Sequence, residues 1–505
     1  MAPFPAVRPL DEHNQRLLEN AHPPAWRNPE PKDRYHLVVI GAGTGGLVTA
    51  AIGAALGARV ALVERELMGG DCLNVGCVPS KAIIRAARAW KAAHEGADRF
   101  GAPQATGDGD FARVMERMRR IRAEISPVDS APRYRDMGVD VFLGEGRFVS
   151  QDVVEVDGKR LRFRRAVIAT GARAAEPSIP GLKQAGYLTN ETVFSLTERP
   201  EHLVVIGGGP IGCEMAQAFR RLGSLVTVIE SGSRILSHDD ADAAEVVAGA
   251  MRRDGVEFVL GARVERVEGA GGASVVHYTR DGEAGEVTGT HILVGIGRAP
   301  NVEGLGLEAA GVRYGKKGVE VDDRLRTSNS RIYAVGDVAS KYQFTHAAGA
   351  HAQMVVRNAL FFGRGKASDL VMPWCTYTSP ELAHVGMTAD EARERSAEVD
   401  TITVPLQEVD RARLDGEDEG FLRIYLKKGS DKILGATLVA DHAGDIITLV
   451  THAMTTSTGL GKLGGTIFPY PTQAEVLRVA ANQWSRNRLT PLAKSAFATY
   501  FRALR

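Results

Sequence analysis

The chain has 505 residues, of which 44% are hydrophobic and 24% charged, and its formal net charge is +1. These values are typical of a globular protein of several domains, and so small a charge argues against a general electrostatic role on nucleic acid or membranes. Four cysteines in so long a chain argue against a structural disulfide framework and indicate a reducing compartment.

Residues 1–34 are predicted to be an extension that precedes the folded body. They are polar and rich in proline and asparagine, without the basic start and apolar core of a signal peptide. A short helix is expected over residues 11–20, and Trp26 is placed to anchor the segment on the body. No apolar run reaches the roughly 20 residues of a membrane span, so we expect a soluble, cytoplasmic protein.

The next segment has the pattern of a nucleotide-binding βαβ unit. A buried strand over residues 36–40 leads into a G-x-G-x-x-G loop, a helix to residue 56 and a second strand that ends at Glu64. Glycines in such a loop let the backbone approach a pyrophosphate at the helix N-terminus, and the acid accepts hydrogen bonds from a ribose. The loop glycines are Gly41, Gly43 and Gly46.

Directly after this unit, Cys72 and Cys77 lie within the run G-G-D-C-L-N-V-G-C-V-P-S-K. In a regular helix they would be about 7.5 Å apart along the axis, so a bridge between them needs a distorted turn, which Gly76 permits. Such a strained bridge is easily reduced. Pro79 suits the first turn of the following helix, whose positive end favours a Cys77 thiolate.

Two other interpretations of this cysteine pair are open at this point. The cysteines are either apolar core residues or half of a zinc site. Zinc needs about four ligands, and the sequence has no second Cys/His pair with finger-like spacing. We therefore favour a redox pair and predict no metal site.

The chain between the two nucleotide-binding patterns is predicted to change from helix to strand. Residues 98–130 are mostly helical and charged, and strand-like pieces follow over residues 139–164. Residues 166–172 form a further strand that runs into a glycine turn. A Pro/Gly cluster at residues 177–181 indicates a crossover between domains.

The βαβ pattern then recurs. A strand over residues 203–206 leads into a second glycine loop and a helix, and a strand over residues 225–229 ends at Glu230. The loop residues concerned are Gly207, Gly209, Ile211 and Gly212. Because the cysteine pair follows the first copy, we expect FAD at the first site and a nicotinamide at the second.

Glu230 stands where the 2′-hydroxyl of a ribose would lie. A carboxylate there favours NADH and repels the additional phosphate of NADPH, whereas Arg234 close by favours NADPH. We expect NADH.

Two further segments are predicted to return to the first site. Residues 291–301 end the second domain, and residues 327–338 form a buried strand that ends in Gly-Asp. Asp337 is placed to hydrogen-bond a polyol. A helix from about His346 presents its positive end to the anionic edge of a reduced flavin.

From residue 373 the pattern is that of an α+β module. Antiparallel strands are predicted over residues 374–384 and 421–439, with helices at 390–395, 445–460 and 473–486. The module is expected to bury one sheet face or to pair with another subunit. The tail, residues 489–505, is basic and amphipathic, and we favour a dimer or body contact over membrane docking.

Taken together, these motifs resemble those of the FAD-dependent pyridine nucleotide–disulfide oxidoreductases, the family of lipoamide dehydrogenase, glutathione reductase and mercuric reductase. The resemblance covers roughly residues 36–490. The matching runs, in family order, are 41–46 with Glu64, 72–81, 169–171, 207–212, 295–300 and 334–337.

The resemblance implies an α/β fold with two Rossmann-like domains and a C-terminal α+β dimerisation domain, in a homodimer. The implied boundaries are an extension at 1–34, the first part of the FAD domain at 35–185, an NAD(P) domain at 186–300, a central segment returning to FAD at 301–370, the dimerisation domain at 371–490 and a basic tail at 491–505.

The family match also implies an electron path. Electrons pass from NAD(P)H through the flavin to a Cys72–Cys77 disulfide, where Cys77 faces the flavin and Cys72 meets the substrate. Lys81 is expected to pair with Glu214 beside the flavin; without the match, two ordinary surface charges would be the simpler interpretation. The positions expected to contact FAD are Gly41, Gly43, Gly46, Glu64, Gly70, Lys81, Thr170, Gly171, Asp337 and His346. Those expected to contact the nicotinamide cofactor are Gly207, Gly209, Ile211, Gly212, Glu230 and Gly297.

The chain departs from the family near its C-terminus. Lipoamide and glutathione enzymes have a His-Pro-Thr run there, with a Glu five residues after the His. In this sequence Tyr470 takes the place of the His, while Glu475 is present. A phenol titrates near about 10 and is a poor base at neutral pH. Tyrosine at this position resembles mercuric reductase, but the sequence has neither that family's C-terminal cysteine pair nor its N-terminal Cys-x-x-Cys domain.

Three functions follow. The first is a mercuric-reductase-like flavoprotein that passes electrons to a metal ion such as Hg(II) or Cu(II), or to a small disulfide. The second is a dihydrolipoamide dehydrogenase-like enzyme, against which Tyr470 argues. The third is a flavoprotein redox sensor or scaffold with slow turnover. No nucleic-acid partner is expected.

Overall fold

The computed structural model describes residues 7–107, 109–269, 272–395 and 398–504. Residues 1–6 of the predicted extension and Arg505 of the predicted tail lie outside the described residues. The chain divides into two compact units, one of residues 1–231 and 262–370 and the other of residues 232–261 and 371–505.

The first unit contains both glycine loops and the cysteine pair. Its helices are α1 Glu12–Ala21, α2 Thr44–Ala55, α3 Gly70–Asn74, α4 Cys77–Phe100, α5 Phe111–Ile125, α6 Ala131–Asp136, α7 Leu182–Ala185, α8 Pro210–Arg221 and α10 Thr345–Leu360. Its strands are β1 Tyr35–Ile40, β2 Val60–Glu64, β3 Asp140–Leu143, β4 Gly146–Ser150, β5 Val153–Val156, β6 Lys159–Ile168, β7 Ala172–Ala174, β8 His202–Ile206, β9 Leu225–Glu230, β11 Ala262–Glu268, β12 Ser274–Arg280, β13 Glu283–Gly289, β14 His291–Val294, β15 Arg298–Pro300, β16 Tyr314–Gly315, β17 Gly318–Val319 and β18 Ile332–Ala334.

The second unit is built on one antiparallel sheet. Its helices are α9 Ala241–Arg253, α11 Ala389–Glu394, α12 Asp410–Asp415, α13 Ala443–Thr455, α14 Leu460–Gly464, α15 Val476–Asn487 and α16 Pro491–Ala503. Its strands are β10 Val256–Leu260, β19 Pro373–Thr376, β20 Glu381–Gly386, β21 Val399–Pro405, β22 Phe421–Lys427 and β23 Ile433–Ala440.

The predicted N-terminal helix is confirmed as α1. The Asp11 carboxylate caps it by accepting a hydrogen bond from the backbone N–H of Asn14 at 2.9 Å. Trp26 anchors the segment as expected, since its ring N–H donates to the Val141 carbonyl at 3.2 Å. The described part of the extension is therefore packed on the first unit.

The main sheet of the first unit is parallel where it carries the first glycine loop. Strand β1 pairs in parallel with β2 and β6, β2 with β3, and β6 with β18. Both faces of β1 are buried, because Leu37 and Val39 belong to one apolar core while Val38 and Ile40 belong to another. A parallel sheet covered on both faces explains the unbroken apolar run in the sequence.

Two strand predictions in this unit were wrong in their bounds. The predicted break between residues 164 and 166 does not exist, because β6 is continuous over Lys159–Ile168. Its first half alternates in burial and pairs antiparallel with β5, whereas its buried second half pairs with β1. The strand predicted over residues 327–338 is only Ile332–Ala334, because residues 327–331 form a hydrogen-bonded turn and a 3₁₀ turn follows at Gly336–Val338.

The second glycine loop lies at the end of another parallel sheet. Strand β8 pairs in parallel with β9 and with β14. The predicted strand–loop–helix–strand order is thus confirmed for both copies. Antiparallel strands β11, β12 and β13 follow in sequence.

In the second unit the strand order is β19-β20-β23-β22-β21, and helices α13 and α15 contribute to its apolar core. The sequence predictions missed β21 and α12. A signal for β21 was present, since Ile402 and Val404 alternate toward the core and are buried.

Candidate redox site

The first glycine loop has the geometry of an anion cradle. Gly41 has φ +100°, and a side chain there would collide with the Ala169 carbonyl. A side chain at Gly46 would collide with the Gly41 carbonyl, so α2 lies close against the loop. A Cβ at Gly43, the N-cap of α2, would approach only Gly70, at 3.8 Å. The space before the helix N-terminus is therefore open and suits a pyrophosphate.

Glu64 holds this loop in place. Its carboxylate accepts hydrogen bonds from the backbone N–H groups of Ala42 at 2.6 Å and Glu66 at 2.8 Å. Burial raises the pKa of the Glu64 carboxyl, and these two hydrogen bonds oppose that shift. The ribose contact expected of Glu64 stays a prediction.

The second loop repeats this arrangement. A Cβ at Gly207 would lie 2.6 Å from the Gly295 carbonyl oxygen, while one at Gly209, the N-cap of α8, would meet no heavy atom within 4 Å. Glu230 accepts from the Gly208 N–H at 2.6 Å. Gly212 packs against Gly207, Ile211 is exposed at the start of α8, and a Cβ at Gly297 would meet no atom within 4 Å. Both loops therefore fit a dinucleotide phosphate.

The two cysteines lie on either side of the predicted distortion. Cys72 belongs to α3, and Cys77 is the first residue of α4. Gly76 between them has φ −138° and ψ −114°, and a Cβ there would lie 2.8 Å from the Asp71 carbonyl oxygen. The turn thus needs glycine at 76, as the sequence predicted.

Both cysteines are free thiols in the structure, and each shifts the pKa of the other. The Cys72 thiol donates a hydrogen bond to Cys77, and this contact together with burial raises the pKa of Cys72. The same hydrogen bond, helped by Thr345 and the positive charge of Lys81, lowers the pKa of Cys77 to about 6 against the opposing effect of burial. At neutral pH Cys77 is therefore the thiolate and Cys72 the protonated thiol.

Lys81 and Glu214 form an ion pair, so the interpretation as two ordinary surface charges is wrong. Lys81 Nζ on α4 lies 2.8 Å from Glu214 Oε2 on α8, and the Glu214 side chain is only 7% exposed. The ammonium also favours the Cys77 thiolate electrostatically. The pair thus links the cysteine-bearing helix to the helix of the second glycine loop.

Thr345 is a site residue that the sequence predictions missed. Its Oγ1 lies 3.3 Å from Cys77 Sγ, at the first residue of α10. The helix was predicted to begin one residue later, at His346. The His346 ring stacks on Phe344 with centroids 5.3 Å apart, and its contact with a flavin stays a prediction.

Arg298 is a second residue whose role was missed, although its position lies within a matched run. Its guanidinium pairs with Asp71, next to Cys72, and donates to the Ala172 carbonyl at 2.6 Å. Arg298 Nε is also 3.4 Å from Asp337 Oδ2. Burial raises the pKa of Asp337 to about 6, and Arg298 opposes that shift.

Thr170 and Gly171, also expected at the site, lie on the turn that follows β6. The Thr170 hydroxyl donates to the Asn301 carbonyl at 2.8 Å, and the Asn301 amide donates back to the Thr170 carbonyl at 2.9 Å. This exchange holds the turn at the end of β6 against the segment that follows β15.

Tyr470 and Glu475 belong to the second unit. Tyr470 is 70% exposed, and its hydroxyl donates to Asp410 Oδ2 at 3.1 Å, which raises the pKa of the phenol. Glu475 is buried, and its carboxylate pairs with Arg478 at 2.5 Å. Tyr470 is therefore a proton donor and not a base at neutral pH.

Comparison with known proteins agrees with this geometry. A family model described as pyridine nucleotide-disulphide oxidoreductase matches residues 35–352, and one for the dimerisation domain of these enzymes matches residues 372–481. A mercuric reductase of Bacillus cereus is 37% identical over 454 residues, which are 90% of this chain and 72% of that protein. A dihydrolipoyl dehydrogenase of Bacillus subtilis is 31% identical over 464 residues, 88% of this chain and 97% of that protein.

Among solved structures, a Cu(II) complex of the HOCl-induced flavoprotein disulfide reductase RclA from Escherichia coli is similar to this chain. The TM-score is 0.79 with 29% sequence identity, and the match covers 88% of this chain and 98% of that one.

Proposed function

The chain belongs to the pyridine nucleotide-disulphide oxidoreductases, NAD(P)H-dependent flavoproteins that use FAD and a pyridine nucleotide, and from this premise we propose its electron path and substrate. Electrons from NADH pass through FAD to the Cys72–Cys77 pair, and from there to a thiophilic metal ion or a small disulfide. The observation that carries this proposal is the geometry of the cysteine turn, where Cys72 and Cys77 flank the distortion at Gly76 and the Lys81–Glu214 pair follows on the same helix as Cys77. The pKa directions of the two thiols agree with it, with Cys77 as thiolate and Cys72 as thiol.

The residues of the first unit fit an FAD. The open space before α2 suits the pyrophosphate, and Glu64 stands at the end of β2, where the ribose of a bound dinucleotide is placed. Asp337, with its Oδ2 3.4 Å from Arg298 Nε, is placed for the polyol chain. Bound FAD would supply the exchange between a hydride donor and a two-electron disulfide acceptor.

Cys72 and Cys77 have different roles in substrate reduction. Reduction of the Cys72–Cys77 bond takes two electrons and one proton, because Cys77 stays a thiolate while Cys72 is protonated. With a disulfide substrate, Cys72 loses its proton to the leaving thiolate as it forms a mixed disulfide. Cys77 then attacks the Cys72 sulfur, restores the bond and releases the second product as a thiolate, which takes a proton from solvent to become a thiol. The sum is NADH, one proton and a disulfide giving NAD⁺ and two thiols.

A metal ion would use the same pair as a chelate. Two soft sulfur ligands suit Hg(II) or copper, and a two-electron donor reduces one Hg(II) to Hg(0) or two Cu(II) to two Cu(I). Metal substrates are favoured over disulfides because the reduction of a metal ion consumes no proton, and Tyr470, a phenol of raised pKa, supplies no base at neutral pH. The similarity to a mercuric reductase and to a copper-complexed reductase supports the same choice.

The test is anaerobic NADH oxidation with Hg(II), Cu(II), lipoamide and oxidised low-molecular thiols, each at equal concentration. We expect the metal ions to be turned over at least about 10-fold faster than lipoamide. The second candidate is a dihydrolipoamide dehydrogenase-like enzyme, favoured by the similarity to the Bacillus subtilis protein. Faster turnover of lipoamide than of either metal would establish it instead.

Preference for NADH is supported at two residues. Glu230 places a carboxylate at the end of β9, where an additional phosphate would be repelled. Arg234 donates to the backbone carbonyls of Leu236, Ser237 and Asp239, each at 2.9 Å, so its guanidinium is already engaged. We expect Glu230→Ala to lower the ratio of kcat/KM for NADH over NADPH by about 10-fold. An unchanged ratio would remove Glu230 from cofactor choice.

The assembly proposed is a homodimer, which rests on the match of residues 372–481 to the dimerisation domain. Light scattering of the holoenzyme should give twice the mass of one chain.

A further inference from the structure

The last helix of the chain leaves its apolar side uncovered. Helix α16 buries none of its residues against the described part of the chain. Its large apolar side chains are instead exposed, with exposed fractions of 81% for Leu492, 54% for Phe497, 59% for Tyr500, 62% for Phe501 and 65% for Leu504. The body contact expected from the sequence is therefore absent among the described residues.

These side chains share one side of the helix. At about 100° per residue, Leu492, Phe497, Tyr500, Phe501 and Leu504 fall within roughly half of the helix circumference. Lys494, Ser495, Thr499 and Arg502 occupy the other half. Thr490 caps the helix by accepting from the Ala493 N–H at 3.2 Å, and Pro491 is its first residue. The helix is thus amphipathic, with a wide aromatic side and a basic side.

The surrounding sequence has charges of only one sign. After Glu475 the chain contains Lys and Arg residues but no Asp or Glu, although the net charge of the whole protein is only +1. The basic residues of this stretch are Arg478, Arg486, Arg488, Lys494, Arg502 and Arg505. Arg478 pairs with Glu475, and the other basic residues follow residue 481, where the family model of the dimerisation domain ends. The sequence beyond that residue is therefore positively charged.

We propose that α16 docks the enzyme on the surface of an anionic lipid bilayer. The helix would lie in the plane of the interface, with the aromatic side among the acyl chains and Lys494 and Arg502 at the headgroups. No helix among the described residues is long and apolar enough to cross a membrane, so the association is peripheral. It does not depend on the substrate or electron path proposed above.

Charge favours this occupant over a second copy of the helix. Two copies of α16 packed through their apolar sides would offer Lys494 and Arg502 no carboxylate in the other tail, since the sequence after Glu475 has no Asp or Glu. Lipid phosphates instead complement every charge on the helix. Each basic residue near an anionic surface adds roughly fivefold to affinity, and a homodimer would present two such helices at once.

The test is co-sedimentation of the full-length, FAD-loaded protein with two kinds of vesicle. One is phosphatidylcholine alone and the other contains phosphatidylglycerol as well. We expect binding to the anionic vesicles that is at least about 10-fold tighter than to the neutral ones and weakens at high salt. Protein that stays in solution with both vesicles, or binds both equally, would overturn the proposal.

Three variants separate the contributions of charge and apolar surface. Lys494→Glu with Arg502→Glu, and separately Phe497→Ser with Phe501→Ser, should each weaken binding to the anionic vesicles by about 10-fold or more. Thr499→Ala, on the basic side, is the control and should bind as the parent does. NADH-driven turnover should be the same in all of them. If the phenylalanine variant instead changes the mass of the protein by light scattering without vesicles, a second copy covers α16 and the lipid proposal is wrong.

Discussion

The cysteine turn and the segment around Tyr470 differ in how firmly the fold holds their side chains. At the turn, Cys77 contacts Thr345, Lys81 pairs with a buried Glu214, and Arg298 pairs with Asp71. At the other segment, Tyr470 is 70% exposed with one hydrogen bond to Asp410, and Ile467 is 94% exposed. The cysteine turn is held by several charged and buried neighbours in its own unit, whereas Tyr470, in the position of the family's proton acceptor, is held at an exposed site by one hydrogen bond.

This difference has a chemical consequence. Local contacts lower the pKa of Cys77 to about 6, so the thiolate is present at neutral pH without a base. The contact of Tyr470 with Asp410 raises the pKa of the phenol, so it cannot act as that base. These two pKa directions support the proposed preference for a metal ion, because the reduction of a metal ion, unlike that of a disulfide, consumes no proton.

The largest effect is expected from Cys72→Ser. Serine keeps the hydrogen bond to Cys77 but cannot form the sulfur–sulfur bond, so turnover of either substrate class should fall about 1000-fold. Steady-state NADH oxidation measures it. Cys375→Ser, in the second unit, is the matched control and should retain parental turnover. A Cys72→Ser enzyme of undiminished rate would exclude the pair from the path.

A smaller effect is expected when Lys81 is replaced by Met. The buried Glu214 carboxylate would lose its ion pair with Lys81, and the free energy of unfolding should fall by about 1–3 kcal/mol. Denaturant unfolding measures this. Lys91→Met on the same helix is the control, because Lys91 pairs with Glu95 at partly exposed positions and should change stability by less than about 0.5 kcal/mol. Equal losses of unfolding free energy in the two variants would mean that the Lys81–Glu214 pair stabilises the fold no more than a surface ion pair does.

Replacement of Tyr470 by His tests whether the missing base at this position limits the reduction of disulfides. Imidazole titrates near about 6.5, so the variant should reduce disulfide substrates several-fold faster while metal reduction changes little. The ratio of the two activities is the measurement. Tyr470→Phe, which removes only the hydroxyl, should leave that ratio unaltered. If the ratio of disulfide to metal reduction rises in both variants, the cause is the loss of the tyrosine hydroxyl and not the gain of an imidazole base.

The smallest effect is expected at Thr345. Its hydroxyl stabilises the Cys77 thiolate at 3.3 Å, so Thr345→Val should raise the pKa of Cys77. Because the thiolate exists above its pKa and is protonated below it, the pH midpoint for iodoacetamide labelling of Cys77 in the reduced protein should move upward from about 6, by roughly half a unit. Thr345→Ser should keep the parental midpoint, and an unmoved midpoint in the valine variant would contradict the contact's role.

The sequence predicted those parts of the site that depend on neighbours along the chain. Both glycine loops, the distortion at Gly76 and the acids that end β2 and β9 follow from local pattern and backbone sterics. The contact of Arg298 with Asp71 joins residues 227 positions apart, and that of Thr345 with Cys77 joins residues 268 positions apart. No periodicity or spacing encodes such contacts, since they exist only once the sheets are assembled.

The pairing of Lys81 with Glu214 was expected only through the family match, because either charge alone fits a solvated helix face. The prediction divided strand β6 into two because its halves have different surroundings. The burial pattern along the sequence changes at the point where the partner strand changes from β5 to β1.

The most direct test of the proposed electron path is to count thiols in the oxidised holoenzyme before and after anaerobic addition of NADH, by alkylation under denaturing conditions and mass spectrometry of each cysteine. If electrons from NADH reduce a Cys72–Cys77 bond, these two cysteines become alkylated together only after NADH, while Cys213 and Cys375 are alkylated in both samples. Identical labelling of Cys72 and Cys77 in the two samples would contradict it.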